Sequence, residues 1–490
     1  MNKNIEQFYI EWKANLDNYL SGYIFDENNK LRKTRFSYLT LQKYLNKLLL
    51  GILPEEEKII ILPGIRGVGK TTLLAQLYFF ERFLPQKYLN VKKQIKSLDE
   101  RIYISADRLL SENISLQEFV DYLEKNVWGN LLNSSKKILL LIDEIQYDQK
   151  WDLFLKLLFD RTKGNKNILV VATGSSAVFL NKKNKDLVRR SKIEKILPEK
   201  FTEYLVLHKG IFPESGLSVN LKEIIFQKNN AKEVFEELNH LRPLIVQKLS
   251  KIENLKIYKK DYFLRGAFPF SAEMQNASSA LERIKNMVLV NIIQRDLILA
   301  GDFDAETLVK IPDTLFLLAN SDQISTGHLA DTLKFHSNTI NKILSALVDT
   351  EILLEIKPYG QPYKQVKKSS KYLFVSSNIR AGLLSGVFGV DIKGKLLEDY
   401  FALIFAKELY EQAKLYYDYG KGGADFIIRF LDNSEIVIEV GFGKEETGQV
   451  EKTFKITRGR AKYGLVIGSE KLELVNDNIV KVPLDYFLLM

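Results

Sequence analysis

The sequence predicts an α/β protein built on a parallel sheet, with further helical and α/β modules after it. Three observations predict it. Apolar runs at residues 58–63, 101–107, 136–146 and 167–176 alternate with helical patterns, the order of a parallel β/α sheet. The runs IIILP and ILLLI are continuous rather than alternating, as strands buried on both faces are. A glycine-rich segment, GIRGVGKTT (64–72), joins the first run to the helical pattern LLAQLYFFERF. With 490 residues the chain has room for about three domains.

Composition narrows the class. Apolar residues make up 46% of the chain, enough for real cores, and the absence of cysteine excludes disulfides and thiolate metal sites. Four scattered histidines (208, 240, 328 and 336) argue against a catalytic zinc. No run reaches the ~18 apolar residues of a membrane span. The N-terminus has no apolar signal core, so a cytoplasmic protein with no membrane contact is expected. The net charge of +10 fits either an anionic partner or a lysine-rich composition.

The segment 64–72 has the form GxxxxGK[ST] between a strand and a helix, a P-loop in its required context. Gly64, Gly67, Val68, Gly69, Lys70, Thr71 and Thr72 are therefore the expected nucleotide-binding residues, with ATP and Mg²⁺ as cofactors. The glycines let backbone N–H groups turn toward phosphate, and the helix N-terminus adds partial positive charge. Lys70 is expected on the β- and γ-phosphates and the Thr71 hydroxyl on Mg²⁺. A second apolar run ends in Asp143 and Glu144, a Walker B pattern. Asp143 is expected to hold Mg²⁺ through water, and Glu144 to orient the attacking water. A third run ends at Thr173, the first choice for a γ-phosphate sensor, with Ser175 as the second.

Residues 323–356 carry a helix-turn-helix pattern. Ser325 or Thr326 caps the first helix, and Ile340, Ile343, Leu344 and Leu347 mark the inner face of the second. Residues 358–371 read as a wing with Lys364, Lys367, Lys368 and Lys371. The exposed face of the second helix would carry His336, Ser337, Asn338, Asn341 and Lys342. Such a winged helix either reads double-stranded DNA, its lysines meeting phosphates, or serves as a packing element.

GIRGVGKTT, LIDEIQYDQKWDLFLKLLFD, VVATGSSAVFL and ILPEKFTEYL together resemble a prokaryotic family of AAA-type P-loop ATPases. Trp151 and the LK pair follow DEIQ at the family's spacing. The resemblance extends through YFLRGAFPF (262–270) and covers about residues 50–490. It implies a C-terminal domain of uncertain function. Where the family often has Gly-Arg before its ILP-like segment, this chain has Arg189-Arg190. The pair is expected to act as an arginine finger, in cis or from a neighbouring copy, or to be a solvated basic loop with Lys182, Lys183, Lys185 and Lys192. Arg265 is either a lid arginine or a structural ion pair.

As in that family, the element order after residue 390 is similar to the restriction-endonuclease-type PD-(D/E)xK fold. The resemblance places Glu398, Asp425 and Glu439 where carboxylates would hold a second Mg²⁺ at a scissile phosphate. The lysine expected two positions after Glu439 is Gly441 here. Lys444, Lys452 and Lys455 are the candidates to replace it. Either the domain is an inactive, structural or DNA-binding remnant, or it is a divergent nuclease.

The expected fold is thus a P-loop NTPase parallel sheet with a helical lid, a winged-helix domain and a C-terminal α/β PD-(D/E)xK-like domain. The expected divisions are an N-terminal helical segment (1–44), the ATPase domain (45–210), a helical lid and connector (211–304), the winged helix (305–376) and the nuclease-like domain (377–490). The expected function is an ATP-hydrolysing switch acting on or with double-stranded DNA, with further copies of the chain as partners. The alternatives are a protein-remodelling or signalling ATPase and an ATP-dependent nuclease.

Overall fold

A computed structural model describes residues 2–84, 98–175, 187, 189–297, 303–321, 325–361, 363, 365, 368–386 and 390–490. The chain forms two compact units, Met1–Ile196 and Leu197–Met490.

The first unit is a parallel sheet flanked by helices. Its strands are β1 (Ile59–Pro63), β2 (Glu100–Ser105), β3 (Ile138–Asp143), β4 (Ile168–Gly174) and β5 (Lys192–Ile193), in the order β2-β3-β4-β1-β5. All four of its strand pairings are parallel. Every residue of β1, β3 and β4 is buried, which is why these runs are apolar throughout. Two helices, α1 (Asn2–Ile24) and α2 (Phe36–Leu50), precede the sheet. Trp12 on α1 donates its indole N–H to the carbonyl of Tyr103 on β2 at 2.7 Å and stacks on that ring. The helix α3 (Lys70–Tyr78) starts directly from the glycine-rich loop, and α4 (Trp151–Arg161) follows β3.

In the second unit, α5 (Leu217–Gln227), α6 (Ala231–Ser250) and α7 (Ala277–Asn286) lead into three helices, α8 (Ala305–Asn320), α9 (Thr326–Leu333) and α10 (Ser337–Asp349). Ser325 caps α9, its Oγ accepting the N–H of His328 at 3.1 Å. Leu329 and Leu333 of α9 are buried, as are Ile340, Ile343, Leu344 and Leu347 of α10. The hairpin β6 (Leu353–Pro358) and β7 (Lys371–Phe374) follows, with antiparallel pairing. It is not a free wing. The end of β6 pairs in parallel with β8 (Ala413–Tyr417), which welds the hairpin into the C-terminal sheet.

That sheet adds β9 (Phe426–Phe430), β10 (Glu435–Val440), β11 (Ala461–Ser469), β12 (Glu473–Val475) and β13 (Ile479–Pro483). Its order is β12-β13-β11-β10-β9-β8-β6-β7. The unit's helices include α11 (Ser377–Leu383), α12 (Val390–Glu408) and α13 (Gly448–Ile456), the last crossing between the parallel strands β10 and β11. One ion pair in this core is fully buried on both sides. Arg380 of α11 donates to Asp399 of α12 at 2.6 and 2.9 Å. The same guanidinium donates to the carbonyls of Leu318 and Ala319 at the end of α8, and Asp399 also accepts the N–H of Phe374 on β7. Among the described residues no helix is long and apolar enough to cross a membrane.

Candidate nucleotide site

The carboxyl ends of β1, β3 and β4 converge on the loop 64–69. The loop closes its turn on Gly67 and Gly69, whose φ values of 82° and 88° lie in the left-handed region that favours glycine. It delivers Lys70 and Thr71 to the first turn of α3. Lys70 is buried and curls back over the loop, its Nζ donating to the carbonyl of Gly64 at 2.7 Å and to that of Ile65 at 3.3 Å. Neutral carbonyls are partners that an ammonium can exchange for phosphate oxygens, which bind it more strongly.

Asp143 is the hub of the site. Thr71 Oγ1 donates to its Oδ2 at 2.7 Å, and the Tyr103 hydroxyl donates to the same oxygen at 2.9 Å. Thr173 Oγ1 donates to Oδ1. Register explains this set. Ser105 of β2 pairs with Asp143, so Tyr103, two residues earlier, lies on the same face. Burial, followed by the neighbouring Glu144 carboxylate, pushes the Asp143 carboxyl above its ordinary range, against those hydroxyl donors. A threonine hydroxyl touching a carboxylate is an all-oxygen donor set that suits a hard cation, and Mg²⁺ sites need few protein ligands. The residues present therefore fit Mg²⁺.

Glu144 has φ of 49°, an uncommon conformation for a residue with a side chain, and such positions cluster at functional sites. Its N–H donates to Thr173 Oγ1 at 3.2 Å. Its carboxylate accepts from Gln146 Nε2 and lies 3.8 Å from the guanidinium of Arg66. Arg35, ahead of α2, donates to the carbonyl of Val68 in the loop. Thr72 is the next residue of α3.

The structure thus brings together the loop residues, Asp143, Glu144 and Thr173. Thr173 is engaged with Asp143 and Glu144, which leaves its hydroxyl no spare proton for a phosphate. Arg189 and Arg190 do not join the site. Arg190 pairs with Asp160, near the C-terminal end of α4, at 3.3 Å. Both precede β5, whose Lys192 is in register with Ile60, so they sit at the sheet edge opposite the loop. Sequence reasoning missed Arg66, Gln146 and Tyr103, whose roles come from register and from the turn after β3. Arg265 pairs with Asp261 at 2.5 Å in the second unit.

The expected second metal site, Glu398, Asp425 and Glu439, is occupied by lysines in this structure. Asp425 and Glu439 do meet at the β9–β10 junction, where the N–H of Asp425 donates to Glu439 and that of Val440 to Asp425. However, among the described residues no three His, Asp or Glu side chains are placed to hold a metal. Lysines stand there instead. Lys371 of β7 is 2% exposed, is bonded to Glu398 and lies 3.9 Å from Asp425. Lys444 Nζ lies 3.0 Å from Glu439. The stem of Lys444 covers Gly441, passing 3.2 Å from where a Cβ would be, so it occupies the space of the missing lysine. Lys452 donates to the carbonyl of Lys421. Lys371 is consequently no solvent-facing wing lysine. Lys368 is exposed, while Lys364 and Lys367 lie outside the described residues, as do Lys182, Lys183 and Lys185.

Comparison with known proteins agrees with this architecture. A family model described as an AAA domain matches residues 56–205, and one described as a domain of unknown function matches residues 258–388. An uncharacterized protein of Methanocaldococcus jannaschii is 36% identical over 476 residues, covering 95% of this chain and 91% of that protein. An uncharacterized protein of Haemophilus influenzae is 23% identical over 361 residues, covering 70% of this chain and 72% of that one. Among solved structures, the Aeropyrum pernix ORC1 protein in complex with DNA aligns with 76% of this chain and 94% of its own, at 13% identity and a TM-score of 0.31. With the Methanocaldococcus relative, this chain belongs to a family of AAA-type P-loop ATPases.

Proposed function

We propose that the chain is an ATP-hydrolysing switch that works with double-stranded DNA. The observation that carries the hydrolytic part is the Asp143 hub, which joins the P-loop through Thr71 to the strand end through Thr173. Lys70 and the loop amides bind the phosphates. Thr71 and Asp143 hold Mg²⁺, which when bound neutralises charge on the β- and γ-phosphate oxygens. Glu144 orients the attacking water, and Thr173 fixes Asp143 and the backbone of Glu144. Arg189 and Arg190 are assigned to the site of a neighbouring copy, where a guanidinium stabilises transition-state charge.

The DNA part rests on α10. His336, Ser337, Asn338, Asn341 and Lys342 are all exposed on or beside it, while its apolar face is buried. Asparagine can pair with adenine edges in the major groove. The C-terminal domain is assigned a non-cutting role, because Lys371 and Lys444 already neutralise the carboxylates a metal would need. The test is ATP turnover with and without double-stranded DNA at low and moderate salt. Stimulation that fades with salt supports the DNA-linked switch. Turnover indifferent to DNA shifts the reading to a protein partner.

A further inference from the structure

The C-terminal sheet carries a concentration of positive charge that the roles given above leave unused. Lys414 of β8 stands directly opposite Arg429 of β9, and Arg429 directly opposite Glu435 of β10. Cross-strand partners share one face of a sheet, so these three side chains lie in one row. Lys414 is exposed. An ammonium placed opposite a guanidinium destabilises a sheet. A merely solvated face gains nothing from that pair, since a neutral or acidic residue at 414 would be more stable.

Glu435 organises the group. Its carboxylate is fully buried and accepts from Arg429 Nε at 2.7 Å, with Arg460 Nε 3.3 Å from the same oxygen. The Tyr359 hydroxyl donates to the other oxygen at 2.7 Å and accepts from Arg460 Nη2 at 2.6 Å. Arg429 also lies over the rings of Tyr416 and Tyr359, at 5.0 and 5.3 Å. In this group two guanidiniums and an ammonium stand against one carboxylate. The two arginine side chains are held in place yet reach solvent, being 25% and 46% exposed. A planar fork fixed in advance loses little freedom when it binds a phosphate by parallel hydrogen bonds.

The charge continues beyond the sheet. The segment 452–462, KTFKITRGRAK, holds five cations and no carboxylate. It runs from the middle of α13 through the turn into β11, and Lys455 and Arg458 within it are exposed. Asp432, in the turn between β9 and β10, is matched by Lys462 at 3.7 Å. Asp425 and Glu439 belong to the other ends of β9 and β10, so this patch is separate from the lysine-filled carboxylate cluster. An extended patch of one sign suits a polyanion with regularly spaced charges, and fixed guanidiniums suit phosphate. We propose that this face binds the phosphate backbone of double-stranded DNA without reading its sequence. Backbone contacts position a duplex, whereas base contacts specify it. The inference rests on the reading that the chain works with DNA, but it does not need α10.

The experiment measures binding of the full chain to two fluorescent duplexes of unrelated sequence across a salt series. It compares wild type, Lys414→Gln and Arg458→Gln, with thermal unfolding followed alongside. Each variant is expected to bind both duplexes several-fold more weakly and to lower the salt slope by about one. The unfolding midpoint of Lys414→Gln is expected to match or exceed that of wild type, because one of two opposed cations is gone. Wild-type affinity and slope in either variant would overturn the proposal while leaving DNA binding by the chain intact. Wild-type protein that binds neither duplex at low salt would remove the DNA reading beneath it. Binding to phosphatidylserine vesicles in place of DNA would overturn the proposal and assign the patch to a membrane surface.

Discussion

At the scale of single residues, the site is a set of short polar contacts around one buried carboxylate. Tyr103 shows how such a contact is tested. Its hydroxyl donates to Asp143 at 2.9 Å from a fully buried ring. Tyr103→Phe keeps the packing and removes that one donor, so it should cost about 1 kcal/mol of stability and raise the Asp143 carboxyl further. A denaturant melt read beside Mg²⁺ titration of the ATP complex checks both effects. Unchanged stability would mean that water replaces the hydroxyl. Lys70, Thr71 and Asp143 were legible in the sequence because phosphate chemistry imposes fixed spacings on them. Tyr103, Gln146 and Arg66 were not, because their partners depend on strand register and on the turn at Glu144. Thr173 was legible as a polar strand end, but its commitment to Asp143 was not.

At the scale of elements, buried charge decides what the second unit can do. Glu408, at the end of α12, meets Lys200 at 2.9 Å and Lys222 of α5 at 3.2 Å. Burial pushes its carboxyl up, but the two ammonium groups outweigh burial and hold it below the usual range. A depressed carboxylate stabilises the fold above its unfolded value, and that stability is lost as pH falls through the folded value. Glu408→Gln should therefore cost about 2 kcal/mol at neutral pH, and the deficit should close as pH falls below the ordinary carboxylate range and through the lower folded value. Melts across that range test the sign. Lys371 makes a second case. In sequence it is one of several lysines in a polar loop, and only the pairing of β7 with β6 and the nearby Glu398 reveal it as buried. With Lys371 and Lys444 on the carboxylates, supercoiled plasmid should remain intact with Mg²⁺ or Mn²⁺. Nicking that disappears in Asp425→Ala would contradict this.

At the scale of the whole molecule, the chain consists of two compact units, Met1–Ile196 and Leu197–Met490. The strands β1, β3 and β4 and the inner faces of α9 and α10 could be read from sequence, because burial on both faces or on one helical stripe leaves a plain apolar pattern. The merging of the β6–β7 hairpin with the C-terminal sheet could not, since it turns on two residue pairs, Lys357 with Tyr416 and Pro358 with Tyr417. The Arg380–Asp399 pair ties α8, β7, α11 and α12 together. Asp399→Ala removes the carboxylate from a buried guanidinium and should cost about 3–5 kcal/mol, read as a lower unfolding midpoint. A cost near zero would mean that the guanidinium's bonds to Leu318 and Ala319 suffice.

In the proposed function this fold hydrolyses ATP with Glu144 as the water-orienting residue. The most direct measurement takes nucleotide binding and single-turnover hydrolysis together in wild type, Lys70→Ala and Glu144→Gln. Lys70→Ala is expected to lose binding, while Glu144→Gln is expected to bind ATP as wild type does and to hydrolyse it at least about a hundredfold more slowly. Glu144→Gln protein that turns over ATP at the wild-type rate would contradict it.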